Sequence, residues 1–131
     1  MKKIFLSLSF ILIALISYAQ STPKVQVLFF KTQLSCCAAK TCNALTEDVK
    51  KAVETNFNAK KVVFKEIAIK EEKNKELVKK HNAKHQNVLV VVTKKGKETV
   101  INITDLVADF SSNKDYAAFE KKLKEIIKKQ L

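Results

Sequence analysis

The chain has 131 residues, of which 47% are hydrophobic, and its formal net charge is +12. Three cysteines are too few for a disulfide-stapled mini-protein, so the fold must depend on an apolar core. A single glycine excludes a glycine-rich phosphate loop, and the basic residues are all lysines. Readers of nucleic acid usually use arginine, so we expect a solvated basic surface and no nucleic-acid partner.

Residues 1–19 have the pattern of a cleaved secretory signal. Lys2 and Lys3 precede an apolar run over residues 4–16, and the small-x-small string "SYA" follows. The run is short for a membrane span and no stop-transfer pattern follows it, so we expect no stable membrane span after cleavage. The sequence thus predicts an exported protein, periplasmic or extracellular, with a single domain over residues 20–131.

Hydrophobic periodicity predicts the element order β-α-β-α-β-β-α. The first and third strands are almost wholly apolar, which favours buried positions in the centre of a sheet, and a turn around Gly96 joins the last two strands. Helical crossovers followed by a hairpin indicate an α/β protein with a mixed four-stranded sheet and helices on both faces, a three-layer α/β/α arrangement. We predict strands at residues 24–30, 61–69, 87–93 and 98–103, helices from residue 38 to 57, 71–82 and 114–130, and a short helical turn at 104–110.

All three cysteines lie where the first strand leads into the first helix, at Cys36, Cys37 and Cys42. The partial positive charge at a helix N-terminus favours a thiolate, and Lys40 adds a nearby cation. Outside the cytoplasm disulfides persist, but three cysteines cannot all pair within one chain. At least one thiol is therefore free, bound to a metal or joined to another molecule.

Four strings of the chain carry a likeness to known proteins: "VLFFKT", "CNAL", "KKGKETV" and "DLVADFSSNKDYAAFEKKL". With these strings and its element order, the chain resembles the thioredoxin fold from residue 24 to 131, and more closely the nitrophenyl compound nitroreductase subunit ArsF-like family of small exported bacterial proteins. The resemblance implies a thioredoxin-like fold and thiol–disulfide chemistry. Two features depart from it: Ala39 stands where the partner of Cys42 in a Cys-x-x-Cys pair would be, and "AKHQNV" lacks the proline that thioredoxins place before the third strand.

The cysteine spacing bears on which pair can form a disulfide. In a continuous helix, residues five apart are separated by about 7.5 Å along the axis, beyond the roughly 7 Å limit for bridged Cα atoms. A Cys37–Cys42 bridge therefore predicts a late helix start, near Lys40 or Thr41, with Thr41 as a plausible N-cap. We rank Cys37–Cys42 first, Cys36–Cys42 second and the strained vicinal pair third.

Three functions remain open. The first is thiol–disulfide exchange, an oxidoreductase activity in which Cys37 attacks, Cys36 is an alternate attacker, Cys42 resolves, and the partners are protein thiols, disulfides or a redox protein. The second is binding of a soft metal or metalloid by the three thiols, to which His81 and His85, four residues apart, could add nitrogen ligands. The third is a non-catalytic partner-binding module with a structural disulfide. We expect no cofactor and no resident metal.

Overall fold

A computed structural model describes residues 24–33 and 37–131, without the side chains of Cys37 and Ala38. The predicted signal at residues 1–19 and the candidate Cys36 lie outside the described residues. A short 3₁₀ turn, Glu72–Asn74, precedes the second helix. The elements in chain order are β1 (Val25–Lys31), α1 (Cys37–Asn56), β2 (Val62–Ala68), α2 (Lys75–Lys80), β3 (Val88–Lys94), β4 (Lys97–Asn102), α3 (Thr104–Asn113) and α4 (Tyr116–Lys128).

The four strands form one mixed sheet in the order β2-β1-β3-β4. Strand β1 is parallel to β2, with Val25 opposite Val62, and antiparallel to β3, with Val25 opposite Val92. Strand β4 is antiparallel to β3 and occupies the other edge. A β-α-β unit followed by a β-β-α unit in this strand order is the topology of the thioredoxin-like fold, so the predicted fold class is confirmed.

The alternation of side chains along β1 builds two cores on opposite faces of the sheet. Val25, Val27 and Phe29 point to the face covered by α1, α3 and α4. Leu28 and Phe30 point to the other face, which α2 covers. The sheet is therefore the middle of three layers, and β1 is buried on both sides, which explains the apolar run at residues 27–30.

The β3–β4 hairpin turns at Lys95 and Gly96, which have φ angles of 51° and 74°. Two successive left-handed residues are what a two-residue hairpin turn needs in order to match the twist of its strands. A Cβ added at Gly96 would meet no atom within 4 Å, so backbone conformation and not space favours glycine there. The predicted turn is confirmed.

Three elements differ from the prediction. The segment expected to form a short turn is the ten-residue helix α3, whose Val107 and Phe110 are buried against the sheet. The alternating sequence of strand β4 predicts a half-buried strand, but β4 is largely exposed at the edge of the sheet. Helix α2 is much shorter than residues 71–82. Within the described ranges, no helix is both long enough and apolar enough to cross a membrane.

The sheet centre and its edge should respond differently to the same truncation. Val90 is 0% exposed in β3, whereas Val100 is 43% exposed in β4. We expect Val90→Ala to lower the free energy of unfolding by about 2 kcal/mol, because buried methyl groups are lost and a cavity remains. Val100→Ala, the matched control, should cost less than about 1 kcal/mol. Urea denaturation of both variants measures the difference. Equal losses in the free energy of unfolding would contradict the burial of β3 and the exposure of β4.

Candidate functional site: a cysteine pocket at the ends of two parallel strands

A pocket of about 420 Å³ lies where the parallel strands β1 and β2 end and helix α1 begins. Neighbouring parallel strands have their carboxyl ends at the same side of a sheet. Helix α1, which follows β1 in the chain, begins at that side. The pocket is therefore a product of the β-α-β connection. It is lined by Lys31, Thr32, Gln33, Ala39, Cys42, Asn43, Glu66, Ala68 and Glu71.

Cys42 contributes the only described cysteine side chain of this pocket, and its thiol is free. It lies on the inward stripe of α1 that continues at Leu45 and Val49, and it is 3% exposed. The buried hydroxyl of Thr46 donates a 2.7 Å hydrogen bond to the Cys42 carbonyl oxygen and so completes this turn of the helix. The thiol at position 42 is thus held at the pocket wall, away from bulk water.

Helix α1 begins at Cys37, so the late start that a Cys37–Cys42 bridge needs is not observed. The expectation that Thr41 caps the helix is wrong, because Thr41 lies inside α1 as an exposed residue. With helix from residue 37 onwards, Cys37 and Cys42 are about 7.5 Å apart along the axis, too far for a disulfide. Any bridge between these two residues requires the first turn of α1 to unwind.

Lys31 ties three elements together beside Cys42. Its ammonium lies 2.8 Å from Glu66 Oε1 on β2 and donates a 3.0 Å hydrogen bond to Asn43 Oδ1 on α1. The parallel register explains the first contact: Glu66 is opposite Phe29, and Lys31 points to the same face as Phe29, two residues away. The Lys31 side chain is 14% exposed, so this cation is largely enclosed.

Sequence reasoning did not identify Lys31, Asn43 or Glu66 as site residues. Each was a polar residue in a chain rich in lysine and glutamate, and neither composition nor spacing singles them out. The usable signal was the pairing of the first two strands. Once they are parallel neighbours, a lysine and a glutamate near their carboxyl ends become diagonal partners on one face.

Neither histidine lies within helix α2. Helix α2 ends at Lys80, and His81 is its C-cap, half-buried with its ring centroid 6.2 Å from that of Phe30. His85 lies in the following loop, where Nδ1 accepts a 3.0 Å hydrogen bond from the backbone N–H of Thr32. His85 is therefore partly buried against the end of β1.

The loop before β3 takes the place of the proline turn of thioredoxins. No cis peptide bond occurs in the described ranges, and Gln86 has a left-handed φ of 63°. The Gln86 N–H donates a 2.8 Å bond to the Phe30 carbonyl, and the Phe30 N–H donates a 2.9 Å bond to the Asn87 carbonyl. Backbone hydrogen bonds thus hold this loop against the end of β1 without a proline.

The described side chains contain no group of three histidine, cysteine or acidic residues close enough to hold a metal ion. Cys36 and the Cys37 side chain lie outside that description, so a site formed by the three thiols stays a prediction. His81 and His85 are engaged with Phe30 and Thr32 respectively. In these positions neither histidine supplies a second ligand for an ion at Cys42.

Comparisons with known proteins give structural likeness at low identity. No protein-family model matches the chain, and no curated protein matches it. A thioredoxin from Thermus thermophilus, solved in solution, is similar with a TM-score of 0.49 and 15% identity over 79% of this chain and 74% of that one. A malarial protein is similar with a TM-score of 0.40 and 17% identity over 68% of this chain and 96% of that one. The thioredoxin-like fold of this chain is seen in its own strand order and connectivity.

Burial of Cys42 predicts slow alkylation in the folded protein. In a Cys36→Ser/Cys37→Ser variant, Cys42 should react with iodoacetamide at least about ten times more slowly than in the same variant unfolded in urea, because the thiol reacts only when the helix opens locally. The control moves the single thiol to the exposed position 44 of the same helix, by adding Cys42→Ser and Ala44→Cys. Equal reaction rates for the two folded variants would show that Cys42 is not enclosed.

Proposed function

We propose that this chain is an exported thiol–disulfide exchange protein whose working groups are Cys37, or Cys36 in its place, and Cys42. The supporting observation is the position of Cys42. Its buried thiol lines a pocket one and a half turns into the helix that begins at Cys37, at the end of the central strand. The thioredoxin-like fold supports this proposal, since that fold carries thiol chemistry at the same strand–helix junction.

The exchange runs in two balanced steps. The Cys37 thiolate attacks one sulfur of a partner disulfide, forming a mixed disulfide and expelling the other partner sulfur as a thiolate, which takes up a proton. The Cys42 thiolate then attacks the Cys37 sulfur, closing the internal disulfide and releasing the second partner thiolate. Two electrons pass from the two protein thiols to the partner disulfide, and the reverse sequence oxidises partner dithiols.

The second step is coupled to a change in helix α1. Cys42 must leave its enclosed position, and the first turn must unwind, before the two sulfurs can meet. That turn has no acidic residue to complement the helix dipole, and Lys40 lies in it with the unfavourable sign of charge. The first turn of α1 is thus less stable than the well-packed remainder of the helix, and it is the part that must unwind for the disulfide to form.

The partners we propose are disulfides or thiols of other exported proteins, or a redox protein that renews the pair. The signal-like residues 1–19 support export to the periplasm or the cell exterior, where disulfides persist. The quoted strings shared with the ArsF-like family support kinship with those small exported proteins.

A thiol titration tests this function against its two rivals. The mature chain is equilibrated with dithiol–disulfide buffers over a range of potentials and then alkylated. Intact mass spectrometry counts the free thiols, and peptide mapping identifies the bridged residues. We expect a reversible two-thiol couple containing Cys42, and a mixed disulfide that accumulates in Cys42→Ser. A bridge that resists mild dithiols would support the structural module. If all three thiols are free and the binding of Cu(I) protects them from alkylation, the metal site is supported.

Loosening the first turn should speed the closing step. Ala39→Gly disfavours helix at that turn by about 1 kcal/mol, so closure should be about five times faster. An aromatic disulfide reagent separates the two steps, because the first equivalent of released thiolate reports attack and the second reports closure. Ala44→Gly, exposed and beyond Cys42, makes the same substitution without touching the first turn. Equal acceleration of closure in both variants would contradict the unwinding step.

A further inference from the structure

We propose that His85 is a positioning residue for the cysteine site: its imidazole Nδ1 holds the end of β1 by accepting the Thr32 N–H. The anchor is a contact within the structure, whereas its consequence for thiol exchange rests on the proposed function. The relevant contact is the 3.0 Å bond from Thr32 N to His85 Nδ1, which is partly buried and joins residues 53 apart in the chain.

The side chain is needed because the sheet ladder is interrupted at this point. Strand β1 pairs with β3 in antiparallel register, Phe29 opposite Val88, and continuing the register would place Thr32 opposite residue 85. The left-handed Gln86 breaks that continuation, since its N–H bonds to the Phe30 carbonyl while Asn87 N–H turns back to the Lys84 carbonyl at 3.1 Å. The His85 imidazole then supplies to Thr32 the acceptor that a backbone carbonyl would supply in a regular ladder.

The contact specifies both the tautomer and the atom position. A neutral imidazole that accepts at Nδ1 carries its proton on Nε2, and a doubly protonated ring has no acceptor to offer. A replacement side chain must therefore present an oxygen or nitrogen lone pair at the δ position. Asparagine does so with Oδ1, whereas glutamine places its oxygen one bond farther out.

The anchored residue belongs to the cysteine pocket. Thr32 lines it together with Cys42, and its neighbour Lys31 binds Glu66 and Asn43 in the same wall. The end of β1 is thus held by the Lys31 side chain towards β2 and α1, and by His85 towards the loop that precedes β3. The position of Thr32 in the pocket wall therefore depends on both contacts.

Three variants test the anchor: His85→Ala, His85→Asn and His85→Gln. We expect the Thr32 amide to exchange with deuterium about 3 to 10 times faster in the alanine and glutamine variants, the range that corresponds to losing one hydrogen bond. In the asparagine variant it should stay within about twofold of the parent. The Phe30 amide, bonded to the Asn87 carbonyl, is the internal control and should not change. Unchanged Thr32 exchange in His85→Ala, or no restoration by asparagine, would overturn the proposal.

The same variants separate this inference from the proposed function. If the parent has a reversible disulfide couple, its equilibrium constant with a reference dithiol can be compared between variants. His85→Ala and His85→Gln should change this constant in the same direction by at least about twofold, and His85→Asn should keep the parent value. A general loss of stability would not be reversed by asparagine alone. If the parent has no such couple, the exchange function fails, and the Thr32 amide still decides whether His85 anchors β1. An unshifted couple beside faster Thr32 exchange would refute the positioning role.

Discussion

The candidate site depends on the double pairing of β1 with its neighbours. This strand hydrogen-bonds to β2 on one side and β3 on the other, and it is buried on both faces of the sheet. Because β1 is hydrogen-bonded along both edges and packed on both faces, the position and direction of its end are fixed. The cysteines follow directly after that point, and the pocket wall is made from the ends of the strands beside it.

Much of this arrangement could be predicted from local patterns. Unbroken apolar runs indicated the two inner strands, and a lone glycine between two lysine-rich stretches indicated the hairpin turn, because both signals reside in a few neighbouring residues. Periodicity also placed the start of α1 at residue 38, one residue from the observed start at Cys37. The later start near Lys40 or Thr41 was inferred from the requirements of a disulfide, and it is not observed.

The polar contacts of the site were beyond a single sequence for a different reason. The Lys31–Glu66 ion pair and the His85–Thr32 hydrogen bond join residues that are 35 and 53 positions apart. Their partners are chosen by strand register and by one left-handed residue, Gln86, neither of which periodicity reveals. The predicted second helix included His81, but α2 stops at Lys80, before either histidine.

The structure sets helix formation against disulfide formation at the same residues. A helix from Cys37 encloses Cys42 and keeps it apart from Cys37, whereas a bridge would need that turn unwound. Packing favours the first state through the body of α1, while the turn itself is weakly supported. Reduced and oxidised forms should therefore differ locally, with the sheet and the remainder of α1 common to both.

Carbon chemical shifts of Cys37 and Cys42, measured by NMR in the reduced and oxidised mature protein, test the central claim most directly. The Cβ shift of a cysteine reports its oxidation state, and the Cα shifts of residues 37–41 report whether they are helical. We predict that oxidation moves the Cβ shift of Cys42 to the disulfide range and removes the helical shifts of residues 37–41 alone. A Cys42 that stays reduced, or a Cys37–Cys42 bridge formed with the helix intact from Cys37, would contradict it.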